Sequence, residues 1–87
     1  MTLNFPNWSR SYDATRRSVR FWGYDGAFEF SFFVEEGALC RVAPSKGRGE
    51  AALLKIFDDN RERIFKAASV AYSRRRKGSS TVIIQSF

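Results

Sequence analysis

Two kinds of residue in this chain could do chemistry: guanidinium groups, and aromatic rings set among them. Arg74-Arg75-Arg76-Lys77 is the densest run of cations, and Arg16, Arg17 and Arg20 gather far ahead of it. Arginine offers flat, two-pronged donors that suit phosphate and carboxylate. Both groups are therefore candidate contacts for an anion or a nucleic-acid backbone. A plainer reading competes for residues 74–77, because cations at a helix C-terminus complement the helix dipole ahead of a glycine stop, here Gly78. That role needs about two charges, and the run holds four.

The rings lie closer to the first group. Arg20, Trp22, Tyr24 and Phe33 fall on one side of an expected hairpin, the side away from its apolar face. Stacking aromatics interleaved with arginine on a sheet serve single-stranded nucleic-acid binders. Gly26-Ala27-Phe28-Glu29-Phe30, however, puts an acid where an RNA-recognition motif carries an apolar residue. The other reading is that Phe5, Trp8 and Tyr12 of the N-terminal arm, or a second subunit, cover this face.

The usual machinery of enzymes is thin. The 87 residues contain no histidine and one cysteine, and no carboxylates at metal-ligand spacing. Cys40 lies beside Leu39 and Val42 and reads as a buried thiol with no base to activate it. Asp58, Asp59 and Glu62 alternate with Lys55, Arg61, Arg63 and Lys66 at ion-pair spacing, which describes a solvated helix face. Gly47-Arg48-Gly49-Glu50-Ala51-Ala52 fits a dinucleotide fingerprint in outline but lacks the preceding strand and surrounding βαβ unit. A flexible loop is the alternative there. The expectation is a protein that is not an enzyme, with no catalytic, cofactor-binding or metal-ligating residues.

Composition sets the frame for these groups. A chain of this length makes one domain, residues 1–87, with a single modest core. Its 44% hydrophobic and 28% charged residues are those of an ordinary folded protein, and nine Phe, three Tyr and two Trp enrich that core. The net charge of +6 is compatible with an acidic partner and equally with simple solubility. A lone cysteine, no apolar leader in residues 1–7 and no long apolar run lead to the expectation of a cytoplasmic protein without a membrane partner.

The elements follow from pattern. Residues 1–15 are expected as a loop-like arm packed on the domain. Arg16–Tyr24 and Ala27–Val34 are strand-like and flank Asp25-Gly26, expected as a two-residue turn with positive φ at both positions. That turn pairs Tyr24 with Ala27 beside it and, on the apolar side, Gly23 with Phe28, Phe21 with Phe30 and Val19 with Phe32. On the other side it pairs Trp22 with Glu29, Arg20 with Ser31 and Ser18 with Phe33. Residues 35–43 read as a short helix stopped by Pro44, and residues 50–76 as one long helix. Thr81–Phe87 supplies a third strand. The expected fold is α+β in the order β-β-α-α-β: a small antiparallel sheet packed against one long and one short helix.

The runs Phe5-Pro6-Asn7-Trp8-Ser9-Arg10-Ser11-Tyr12-Asp13 and Val19-Arg20-Phe21-Trp22-Gly23-Tyr24-Asp25 resemble a family of short bacterial proteins, domain-of-unknown-function family 1488. The likeness continues through Phe32-Phe33-Val34, Phe57-Asp58-Asp59-Asn60-Arg61-Glu62-Arg63-Ile64 and the C-terminal strand. It implies a small α+β domain of the bacterial cytoplasm and brings no activity, cofactor or site residue. The functional expectation is a non-catalytic binding or adaptor module, self-associating or joined to a protein partner. A basic, aromatic-containing nucleic-acid surface is the alternative.

Overall fold

The computed structural model describes residues 3–6, 8–44, 49–75 and 78–87. Strands β1 (Leu3–Asn4), β2 (Arg10–Asp13), β3 (Ser18–Asp25) and β4 (Phe28–Glu35) come first. Helices α1 (Glu36–Val42), α2 (Glu50–Asp59) and α3 (Arg61–Arg74) and strand β5 (Thr81–Ile84) follow. The expected α+β class is observed, with five strands and three helices among the described residues.

Strand β3 is the hub. It pairs antiparallel with β4 on one side and with both β1 and β2 on the other. The arm expected as a loop is therefore partly sheet. Alternation explains it: Tyr12 opposite Val19 turns toward the core, while Ser11 opposite Arg20 turns away. Between β1 and β2, Phe5 lies over Gly23, where a Cβ would come within 2.8 Å of the rings of both Phe5 and Phe32.

The β3–β4 hairpin forms, but its register differs from the expected one. Asp25 pairs with Phe28, Tyr24 with Glu29, Gly23 with Phe30, Phe21 with Phe32 and Val19 with Val34. Trp22 pairs with Ser31, Arg20 with Phe33 and Ser18 with Glu35. The turn centres on Gly26-Ala27, with positive φ at Gly26 (63°) and not at Asp25 or Ala27. A glycine at the first central position is the demand of a type II′ turn. The slip moves β4 by an even number of residues, so every side chain keeps its expected face. It moves Val34 into the core and leaves Phe28 exposed at the tip.

Two further expectations are corrected. The long helix is two helices, broken at Asn60, whose side-chain amide donates to the Ile56 carbonyl at 2.9 Å while its backbone N–H turns to Phe57. A short polar side chain that bonds its own backbone competes with the helix. Asp58 and Asp59 also oppose the dipole at the end of α2 and suit the start of α3. Strand β5 pairs with β4 in parallel, so the sheet is mixed and not antiparallel. Parallel neighbours need a long crossover, and the three helices supply it.

All three helices feed one core against the inward sheet face. Val19, Phe21, Phe30, Phe32, Val34, Val82 and Ile84 from the sheet meet Leu39, Leu53, Ile56, Phe57, Ile64, Ala68 and Tyr72. Aromatic rings bind the two layers: Phe5 stacks on Phe65 at 4.3 Å, and Phe21 lies 5.3 Å from Phe32 and 5.1 Å from Phe57. Among the described residues no helix is long and apolar enough to cross a membrane.

Candidate functional site

The outward face of the sheet follows from strand alternation. Row by row it carries Ser11, Arg20, Phe33 and Ile83, then Trp22, Ser31 and Thr81, then Tyr24 and Glu29. The four residues expected as one surface, Arg20, Trp22, Tyr24 and Phe33, are brought together here. The aromatic residues of the arm do not cover them. Phe5 and Tyr12 pack on the helix side, and Trp8 stands exposed against Arg61, 4.5 Å from its guanidinium.

Arginines cover part of the face instead. The Arg16 guanidinium sits 4.4 Å over the Phe33 ring, and that of Arg20 lies 5.0 Å from Trp22 and 5.8 Å from Phe33. Phe33 is consequently only 5% exposed although it points outward. Arg20 donates to Ser31 Oγ at 3.1 Å, and its buried Nε has no hydrogen-bond partner among the described residues. Tyr24 donates to Glu29 at 2.6 Å, which holds its phenol above the ordinary tyrosine range. Trp22 and Tyr24 are half-buried, and Ile83 is 40% exposed.

The turn ahead of β3 places Arg16. Asp13 accepts from the Arg16 backbone N–H, Ser18 donates to the Arg16 carbonyl, and Arg17 adopts a left-handed φ of 50°. The Arg17 carbonyl accepts from the Glu36 N–H, tying this turn to the start of α1.

Among the described residues the basic groups do not merge. Arg16 and Arg17 adjoin the Ser18 end of β3. Arg75 lies at the other end, where Tyr72 donates to Asp25 at 2.5 Å. The span of β3 between them is about 23 Å. Arg75 stacks on Tyr72 (4.0 Å) and Phe30 (4.9 Å) and donates to the carbonyls of Tyr72 and Ser79. These two bonds hold the end of α3. Arg74 is exposed. Arg76 and Lys77 lie outside the described residues, as does most of the glycine-rich segment at 47–49.

Sequence reasoning missed a second network. Arg10 grips Asp58 with two hydrogen bonds (3.0 and 2.8 Å), and Arg61 adds a third at 2.8 Å while donating to the Trp8 carbonyl. The Arg10 hydrogen bond is the largest cause holding the Asp58 carboxyl below its ordinary range. The i,i+3 pair Asp58–Arg61 was legible from spacing, but Arg10 is 48 residues from Asp58. Asp59 pairs with Lys55 as expected of a solvated face. Cys40 is buried. Among the described residues, no group of three His, Cys, Asp or Glu could hold a metal ion.

The fold has a solved counterpart. A crystal structure of a protein of unknown function from the DUF1488 family, from Shewanella loihica PV-4, superimposes with a TM-score of 0.77. It covers 94% of each chain at 16% sequence identity, so the likeness is one of fold. Among curated proteins, none matches the chain. The model of one family, described as "Protein of unknown function (DUF1488)", matches residues 3–84. With nearly its whole length matched, and with the same architecture found in a solved member, this chain belongs to the DUF1488 family.

Proposed function

We propose that this domain is a non-catalytic cytosolic binding module that associates with a second copy of itself through the outward face of its sheet. One observation carries the reading: the helices cover one face, while Trp22, Tyr24 and Ile83 are left part-exposed on the other with no layer of described residues over them. Apolar surface framed by polar groups marks interfaces. The face holds both signs of charge, Arg16 and Arg20 against Glu29 and Glu35. A two-fold axis can therefore set arginine of one copy against glutamate of the next.

Sedimentation equilibrium tests this. A dimer is expected, weakened by Trp22→Arg while the fold is kept. A monomer at high micromolar concentration refutes it.

The alternative is single-stranded nucleic acid. Trp22 and Tyr24 lie side by side on a central strand with the Arg20 guanidinium near both Trp22 and Phe33, an arrangement suited to base stacking. Glu29 and Glu35 oppose it. Fluorescence anisotropy with short oligonucleotides at two salt concentrations decides, since phosphate binding falls steeply with salt.

A further inference from the structure

Strand β5 ends the sheet on its side, and its outer edge faces a groove instead of another strand. The groove, of about 690 Å³, runs between β5 and one side of α3. Ala67, Val70 and Ala71 line its helix wall, with Arg74 and Arg75 at one end. Val70 is 51% exposed, a large apolar residue in mid-helix.

In a parallel pair, successive residues direct their backbone groups alternately to the neighbour and away from it. The Ser31 N–H donates to the Ser80 carbonyl, so Ser80, Val82 and Ile84 serve β4 while Thr81 and Ile83 turn outward. Ser79 Oγ occupies the outward groups of Thr81, donating to its carbonyl at 2.9 Å and accepting from its N–H at 3.3 Å. Arg41 donates to the Gln85 carbonyl. Among the described residues nothing takes the outward N–H and C=O of Ile83.

We propose that this groove binds an extended acidic peptide segment, which adds as a strand at Ile83, packs an apolar side chain on Val70 and sets a carboxylate against Arg74. Strand addition to an open sheet edge supplies backbone hydrogen bonds, and the flanking groove supplies the preference for side chains. Charge selects the occupant. The groove is lined by two arginines and no carboxylate. Arg75 is engaged by Tyr72, Phe30 and Ser79, whereas Arg74 makes no hydrogen bond or ion pair among the described residues. A second copy docked here about a two-fold axis would bring the side of α3 bearing Arg63 and Arg74 against itself, cation facing cation. A segment running antiparallel to β5 brings its C-terminal end to Arg74, so its acid belongs there. This surface meets the outward sheet face at β5, where the side chains of Thr81 and Ile83 stand on that face while the backbone edge beside them opens to the groove.

The test is a titration of isotope-labelled protein with a short peptide of alternating Glu and Val, followed by NMR and by fluorescence anisotropy. The Ile83 and Val70 amides are expected to shift first. Arg74→Glu and Val70→Asp should each weaken binding about tenfold, with unchanged melting of Arg74→Glu showing that the fold is kept. A peptide with Lys in place of Glu should bind about tenfold more weakly, and proline at alternate positions should abolish binding. Trp22→Arg should leave peptide affinity unchanged. The proposal is overturned by no binding of the acidic peptide, by equal affinity for the lysine peptide, by indifference to Arg74→Glu, or by loss of binding in Trp22→Arg. A dimer dispersed by Val70→Asp would assign the groove to a second copy and overturn it as well.

Discussion

Replacing Gly23 by alanine tests the closest packing between the arm and the sheet. The added methyl would sit 2.8 Å from Phe32 Cε1, 2.8 Å from Phe5 Cε1 and 3.1 Å from Phe5 Cδ1. Carbon atoms rest about 3.5–4.0 Å apart, so both rings must retreat by roughly 1 Å. Phe32 has nowhere to go, being fully buried with Phe21 at 5.3 Å and Phe5 at 5.5 Å between centroids. Phe5 can move only by breaking its stack on Phe65. Against this, alanine in place of a strand glycine gains about 0.5–1 kcal/mol of chain entropy. Overpacking costs about 1–3 kcal/mol, and displacing two rings belongs near the top of that range. The expected net loss is about 2 kcal/mol, which in a domain of this size lowers Tm by about 8–16 °C. Thermal and urea unfolding followed by circular dichroism measure it. In a Phe5→Ala background the same substitution should cost about half as much, because one clash has gone. A Gly23→Ala protein that melts at or above the wild-type temperature refutes the packing argument.

Asp58→Asn should lower Tm at neutral pH by an amount worth at most ~1 kcal/mol, since the carboxylate is partly open to solvent. Its folded pKa lies below the unfolded one, so the contribution is present above about pH 4 and disappears as pH falls through the folded value; melts at pH 7 and pH 3 should show the gap to wild type closing, and a gap that persists in acid is the refuting result. Tyr24→Phe should remove one late phenol step from an ultraviolet absorbance titration, because the hydrogen bond to Glu29 raises that pKa. The raised phenol contributes stability below the ordinary tyrosine pKa and loses it as pH climbs through the folded value, so wild type and Tyr24→Phe should converge in strong alkali.

What could be read from the residues divides along the range of the interactions. The hairpin's faces were legible because alternation alone assigns Val19, Phe21, Phe30 and Phe32 to the core and Arg20, Trp22 and Phe33 to the outside. Its register was not, since Asp25-Gly26 and Gly26-Ala27 both satisfy turn chemistry and keep the same parity. The break at Asn60 was marked by the asparagine and by Arg61 in the apolar stripe, but both are tolerated inside single helices. The direction of β5 depends on where the helices deliver the chain, and no local pattern in Thr81–Ile84 records it. The same holds for the site: Trp22, Tyr24 and Phe33 could be grouped by spacing. The arginine cover over Phe33 depends on a turn with a left-handed Arg17, and the Arg10–Asp58 bond joins residues 48 positions apart.

The parallel join of β5 to β4 also decides the order of assembly. The β3–β4 hairpin closes a short loop and can form within microseconds, as hairpins do. β5 can dock only after the three helices have been laid across the sheet, at the entropic cost of closing that long loop. Until then the far edge of β4, offering the backbone groups of Ser31 and Phe33, is an open template for strands of other chains. Loosening β5, for instance by proline at Val82, would thus trade folded protein for aggregate more than for a soluble unfolded chain. The same strand that completes the sheet shields its most adhesive edge from neighbouring molecules.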